Sequence, residues 1–258
     1  MPERTITGGR SGHAAATCVA ILAVRWQPHA AQQGAQPIDS RYPDWSFAAM
    51  SESPATDARR PLTSRSTAWA RWLSRRLSAT KVTPNQISLA SIGFALIGGL
   101  LLLRPDWPVA MVFAAICIQL RLLCNLIDGM VAVEGGKGTP TGALYNEIPD
   151  RIADSLFLIG AGYGVGLPTL GWLAALLAVL TAYIRLLGGS LGLKQDFRGP
   201  QAKPQRMFVL TLGCLAVAWE SAQYASQYAM IVALAVIVFG SAWTCVARVR
   251  ATAAELDA

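Results

Sequence analysis

Between Asn125 and Asp154 the sequence reads NLIDGMVAVEGGKGTPTGALYNEIPDRIAD, a run rich in side chains able to do chemistry. Asn125 and Asp128 are three residues apart, and Ala132 lies four further on. On a helix these three share one side. Gly142, Asn146, Asp150 and Asp154 recur every fourth residue and form a second stripe, with Glu147 beside it. Gly135-Gly136-Lys137-Gly138-Thr139-Pro140 reads as a turn between the two. The helices are therefore expected to be antiparallel neighbours, with Asp128 facing Asp150.

Carboxylates inside an apolar helical region are costly unless something neutralises them. Four on adjacent helices would also repel one another, and a divalent cation would remedy both. Asp128, Glu147, Asp150 and Asp154, with the amide oxygens of Asn125 and Asn146, make an all-oxygen ligand set. Such ligands suit a hard ion, Mg²⁺ or Mn²⁺, with Ca²⁺ a further choice. The two histidines, His13 and His29, lie far from the stripe, so a histidine-based zinc site is not expected. A bound hard dication recruits phosphate oxygens. Two other readings stay open: a polar network that fastens two helices, and an ion or proton path through a transporter. Gly129, Ala132, Gly142 and Ala143 would allow close helix approach under any of the three.

The elements that carry this stripe follow from composition. The chain has 258 residues, 53% of them hydrophobic and 14% charged, against roughly 25% charged in soluble domains. The deficit falls after about residue 84, where apolar runs follow one another. That pattern defines an all-α, polytopic membrane protein. Six spans are expected, at about 84–103, 108–133, 142–166, 168–189, 207–222 and 227–246. Thr83 reads as the cap of the first, with Pro84 at its first helical position. Before it, residues 67–79 place Trp69, Trp72 and Leu73 on one side of a helix and Arg71, Arg75 and Arg76 mostly on the other. That suits an amphipathic helix lying in the membrane interface. Residues 1–61 differ in composition and read as a variable extension; their apolar stretch Ala14–Val24 is too short to span a bilayer. Residues 62–250 form the membrane domain and 251–258 a short tail.

The net charge is +7. Its distribution argues for lipid headgroups and for topology rather than for nucleic acid, since no basic-aromatic surface accompanies it. Lys137, Lys194, Arg198, Lys203, Arg206, Arg248 and Arg250 lie between or after spans on one side, and Arg104 lies on the other. Both termini are thus expected in the cytoplasm. The five cysteines show no metal-ligand spacing, and four of them (Cys117, Cys124, Cys214, Cys245) sit in apolar runs as small hydrophobes.

The polar segment resembles the CDP-alcohol phosphotransferase (CDP-alcohol phosphatidyltransferase) family, whose motif is Asp-x2-Asp-Gly-x2-Ala-Arg-x8-Gly-x3-Asp-x3-Asp. Asp128, Gly129, Ala132, Gly142 and Asp150 match it without gaps. Asn125 and Asn146 stand where the motif has Asp, and Val133 where it has Arg. Glu147 and Asp154 restore two carboxylates nearby. The pattern is similar to a divergent bacterial branch in which Asn-x2-Asp-Gly pairs with Asn-Glu-x2-Asp-x3-Asp. The likeness extends over roughly residues 67–250, and residues 1–61 have no counterpart in it.

The resemblance implies a transferase of the bacterial inner membrane that works in phospholipid biosynthesis. Asp128 would be a metal ligand and Asp150 the general base, with one or two Mg²⁺ or Mn²⁺ ions. Gly129, Ala132 and Gly142 would let a cytidine nucleotide approach the backbone. The donor would be a CDP-activated lipid such as CDP-diacylglycerol, the acceptor an alcohol, and the assembly a homodimer. Lys203, Arg206 and Arg198 would bind a phosphate on the acceptor, although plain positive-inside charge accounts for them equally. Arg185 is a further candidate, and Arg151 or Lys137 could replace the arginine missing at Val133. A catalytically silent protein of the same fold remains the alternative.

Overall fold

In the computed structural model, the described residues are 68–257, apart from 79, 81, 134, 138 and 140. The extension at residues 1–61, with its stretch Ala14–Val24, lies outside them. The described residues form seven helices: α1 (Ala68–Ser78), α2 (Pro84–Leu101), α3 (Pro108–Val133), α4 (Gly142–Gly164), α5 (Pro168–Ser190), α6 (Lys203–Tyr224) and α7 (Tyr228–Leu256). Four of them, α2, α3, α5 and α7, are long and apolar enough to cross a membrane. The helices α4 and α6, of 23 and 22 residues, have comparable length but carry more charge per residue.

Local chemistry sets the helix starts. Thr83 caps α2 through a reciprocal pair: its Oγ1 accepts from the Gln86 backbone N–H at 3.3 Å, and Gln86 Oε1 accepts from the Thr83 N–H at 3.0 Å. Pro84, Pro108, Pro168 and Pro204 each sit in a first helical turn, where proline's missing N–H costs nothing. At the far corner, Glu220 accepts from the N–H groups of Tyr228 and Ala229 at 3.0 and 2.9 Å and so caps α7.

Two helices exceed the expected ranges. The α6 helix begins at Lys203, so Lys203 and Arg206 lie on its first turn rather than in a connecting loop. The α7 helix runs on through Ala251–Leu256, beyond the expected end of the membrane domain at residue 250, because these residues are mostly good helix formers.

The six long helices close into a ring. The α2 helix packs against both α3 and α4, α4 against α5, α5 against α7, α7 against α6, and α6 against α3. Ala114, Ile118, Phe157, Ala178, Leu210 and Leu234 are among the fully or nearly fully buried residues of its core. The outward faces are apolar too: Leu89, Phe113, Leu176, Trp219 and Phe239 are exposed, Phe239 by 76%. Polar groups inside and hydrocarbon outside is the distribution that lipid demands, and the chain is an all-α membrane protein.

The ring corrects two expectations. The α3 and α4 helices are not closely packed neighbours: α2 lies against both, and they meet mainly through long polar side chains. Close backbone approach is found elsewhere, where a Cβ on Gly160 would lie 2.4 Å from the Gly99 carbonyl oxygen. A Cβ on Gly142 would meet only Thr139 Oγ1, at 3.6 Å.

The α1 helix turns Leu73 and Leu77 toward Ile87, Ile127 and Val131. Trp69 and Trp72 are exposed, with the Arg76 guanidinium 5.6 Å above the Trp72 ring. The face toward the protein is thus the leucine face. The side chains of Arg71 and Arg75 lie outside the described residues.

Candidate active site

A cavity of about 570 Å³ opens at the end of the ring where α3 ends and α4 begins. Asn125 and Gly129 of α3, Asn146, Glu147, Asp150 and Arg151 of α4, Arg185 of α5, Lys203 and Arg206 of α6 and Arg248 of α7 line it. Trp69 of α1 and Leu122, Leu123 and Leu126 of α3 give it an apolar side. A concave apolar site with a few convergent polar groups is the usual form of a small-molecule site.

Asp128 is buried one turn from Asn125. Its Oδ2 accepts from Ser88 Oγ of α2 at 2.5 Å, and its Oδ1 accepts from the Gly129 N–H at 2.6 Å. Asp150 is held by cations on both oxygens: Arg121 Nη2 lies 3.2 Å from Oδ1, while Lys203 Nζ donates to Oδ2. The Lys203 ammonium also donates to Asn125 Oδ1. Asn125 Nδ2 lies 3.5 Å from Asn146 Oδ1, so the two amides that replace motif carboxylates face each other across α3 and α4.

The other two carboxylates are engaged differently from a metal ligand set. Asp154 is buried between two guanidiniums, with Arg121 Nη2 2.5 Å from Oδ1 and Arg206 Nη2 3.3 Å from Oδ2. Glu147 accepts from Arg185 Nη2 at 2.6 Å and from Arg151 Nη2 at 3.2 Å. Arg185 is steadied further by Gln195 Oε1 at 2.6 Å and by stacking on Phe197. Repulsion among the four carboxylates is thus relieved largely by basic side chains.

Among the described residues, no three His, Cys, Asp or Glu side chains converge as a metal cluster. The motif positions offer an ion the carboxylates of Asp128 and Asp150 and the amide oxygens of Asn125 and Asn146, Asp150 and Asn125 in exchange for their contacts with Lys203. All are hard oxygen ligands, and they fit Mg²⁺ or Mn²⁺ better than a soft metal.

The remaining candidates divide. Of Gly129, Ala132 and Gly142, only Gly129 lines the cavity. Arg206 is buried at its edge, donating to Thr181 Oγ1 at 3.1 Å and to the Gln201 carbonyl at 2.7 Å. Arg198 points away, paired with Asp196 at 2.8 Å and Glu255 at 3.5 Å. Lys137 donates to the carbonyls of Thr80 and Val82, tying the α3–α4 connection to the entry of α2. Arg121, Ser88 and Arg248 were not picked out from sequence as site residues. Arg121 had a signal, being an arginine within an apolar run. Arg248 is buried, donating to the carbonyls of Arg198 and Thr181.

A ring of helices with carboxylates, amides and basic groups converging at one end defines an all-α membrane protein with a cavity suited to a phosphorylated ligand. The model of the CDP-alcohol phosphatidyltransferase family matches residues 81–243, and the chain belongs to that family. It is 33% identical over 138 residues to inner membrane protein YnbA of Escherichia coli, covering 53% of this chain and 69% of that protein. With the phosphatidylinositol phosphate synthase of Mycolicibacterium smegmatis it shares 29% identity over 141 residues, 51% of this chain and 61% of that one. Its fold is similar to the solved phosphatidylinositol phosphate synthase of Mycobacterium tuberculosis with CDP-DAG bound. That likeness has a TM-score of 0.61 at 21% identity and covers 72% of this chain and 94% of the other. The same synthase in complex with manganese and citrate gives 0.60.

Proposed function

We propose that the protein transfers a phosphatidyl group from CDP-diacylglycerol to an alcohol and releases CMP. The observation that carries this reading is the cavity, in which Asp150, the two facing amides and a set of basic side chains converge from five helices. The acceptor oxygen would attack the β-phosphorus of the donor. A new P–O bond forms as the bond to CMP breaks, CMP takes the bonding pair, and the acceptor proton passes to Asp150. A carboxylate offers about four acceptor directions, so Arg121 and Lys203 orient Asp150 and leave room for a hydroxyl. Asp128, Asp150, Asn125 and Asn146 would hold Mg²⁺ or Mn²⁺, which when bound offsets charge on the diphosphate oxygens. Glu147 and Asp154 are assigned to positioning, through their arginines. Gly129 brings backbone to the cavity wall without a side chain, which favours close approach of the nucleotide.

The acceptor we propose is a phosphorylated polyol of the inositol phosphate kind. Two of the proteins this chain is similar to are phosphatidylinositol phosphate synthases. The group Arg151–Glu147–Arg185 also sets two positive charges against one negative at the cavity wall, and Lys203 and Arg206 add to it. Arg198, paired elsewhere, is left out of this role.

Six spans carry the site, with α4 and α6 crossing alongside the four apolar helices. The α1 helix lies in the interface, and both termini are in the cytoplasm of a bacterial inner membrane. Residues 62–250 make up the membrane domain, and the assembly is a homodimer as the family likeness suggests.

The test uses full-length protein in detergent or nanodiscs with CDP-diacylglycerol, Mn²⁺ or Mg²⁺, and a panel containing inositol phosphate, glycerol phosphate, inositol and serine. CMP release should be highest with a phosphorylated acceptor, and Asp150→Asn should lower it by at least about a hundredfold. No CMP above the Asp150→Asn background with any acceptor would sink the transferase reading in favour of a silent member of the fold.

A further inference from the structure

Lys203 does more than add positive charge to the cavity. Its ammonium is shared between Asn125 Oδ1 and Asp150 Oδ2. The first is a position where the motif has a carboxylate, and the second belongs to the motif carboxylate that α4 retains. An ammonium is a compact cation with three donors and no acceptor, so it gathers these oxygens as a small metal ion would. Asp128, by contrast, has only the Ser88 hydroxyl and the Gly129 N–H on its oxygens among the described residues.

Charge counting points the same way. Asp128, Glu147, Asp150 and Asp154 contribute four negative charges, and Arg121, Arg151, Arg185, Lys203, Arg206 and Arg248 contribute six positive ones, a surplus of two. One dication raises the surplus to four positive charges, which the two negative charges of a diphosphate diester and the two of the acceptor's phosphate would cancel. A second dication would leave two uncancelled charges in a low-dielectric site, where they are strongly disfavoured.

We propose that Lys203 is a tethered cation standing in for one divalent ion, so that the site takes a single Mg²⁺ or Mn²⁺ with Asp128 as its main carboxylate. The inference rests on the transferase reading above for the diphosphate, but its test does not depend on turnover. Full-length protein in detergent is titrated with Mn²⁺ while electron paramagnetic resonance follows the free ion.

Wild type should bind one Mn²⁺ per chain. Lys203→Met keeps the stem and loses the charge; it should bind Mn²⁺ about tenfold more tightly or admit a second ion, because it removes a neighbouring positive charge. Lys203→Arg should stay near wild type. Asn125→Asp combined with Lys203→Met should bind two. Lys203→Gln serves as the uncharged variant if Lys203→Met does not fold. The proposal is overturned by two ions in wild type, by no bound Mn²⁺, or by uncharged variants that match wild type in both stoichiometry and affinity. One bound ion without CMP release from any acceptor counts against the transferase reading alone. Two bound ions with CMP release count against the tethered cation alone.

Discussion

Asp128 and Asp150 were legible because a helix repeats every 3.6 residues, so spacing alone places them on inward stripes. Their partners were not, because a guanidinium crosses from one helix to another and sequence distance says nothing about that. Arg121 is the clearest case. It is fully buried, and its Nη2 contacts Asp154 Oδ1 at 2.5 Å, Asp150 Oδ1 at 3.2 Å and the Asp150 carbonyl at 3.0 Å. Three acceptors on one nitrogen make Arg121 the residue that fixes α4 against α3, where backbone packing is sparse. Removing one partner of a buried ionic pair leaves the other charge uncompensated, a loss of about 3–5 kcal/mol. Arg121→Met should therefore lower the unfolding temperature of the detergent-purified protein substantially, and Arg121→Lys by less. A Tm unchanged by Arg121→Met would show that Arg206 alone suffices for Asp154.

At the scale of elements, apolar run length and proline position placed the six long helices to within a few residues in most cases. The start of α6 and the end of α7 escaped, since Lys203-Pro204 read as loop although proline suits a first turn. Helix order around the ring escaped for a different reason: a short turn between α3 and α4 suggested a packed hairpin, whereas glycines draw α4 onto α2. The contact between Gly99 and Gly160 is one of backbone on backbone, with 2.4 Å left for any Cβ on Gly160. A carbonyl cannot move aside as a flexible side chain can, so Gly160→Ala must separate the helices. Overpacking of this kind costs about 1–3 kcal/mol. Gly93, also on α2, has nothing within 4 Å of an added Cβ. Thermal unfolding should therefore show Gly160→Ala clearly destabilised and Gly93→Ala equal to wild type or slightly more stable, because alanine is the better helix former. Equal loss from both would mean that the seam does not hold α2 to α4.

For the whole molecule, the open matter is how many helices cross. Length and hydropathy single out α2, α3, α5 and α7. The charges that lower the hydropathy of α4 are Glu147, Asp150, Arg151 and Asp154, and every one of them is paired with a residue of opposite charge. Asp150 and Asp154 are buried inside the ring, and the face of α4 that turns outward is apolar, with Ile148, Ile152 and Tyr163 exposed. A helix whose charges are matched within the protein presents hydrocarbon to lipid and can cross at little cost. The ring makes the same demand, since α4 lies between α2 and α5 and α6 between α3 and α7. The two topologies differ at the connections. With six crossings, residues 165–167 lie outside the cell and 191–202 inside. With four, α4 stays on the inner side and α6 on the outer, and the two connections exchange places. Single cysteines at Leu167 and Lys194, in a chain whose own cysteines are replaced by serine or alanine, distinguish them. A membrane-impermeant maleimide applied to intact cells should label Leu167→Cys and spare Lys194→Cys. The opposite pattern would leave α4 and α6 uncrossed and would remove the cavity on which the proposed chemistry depends.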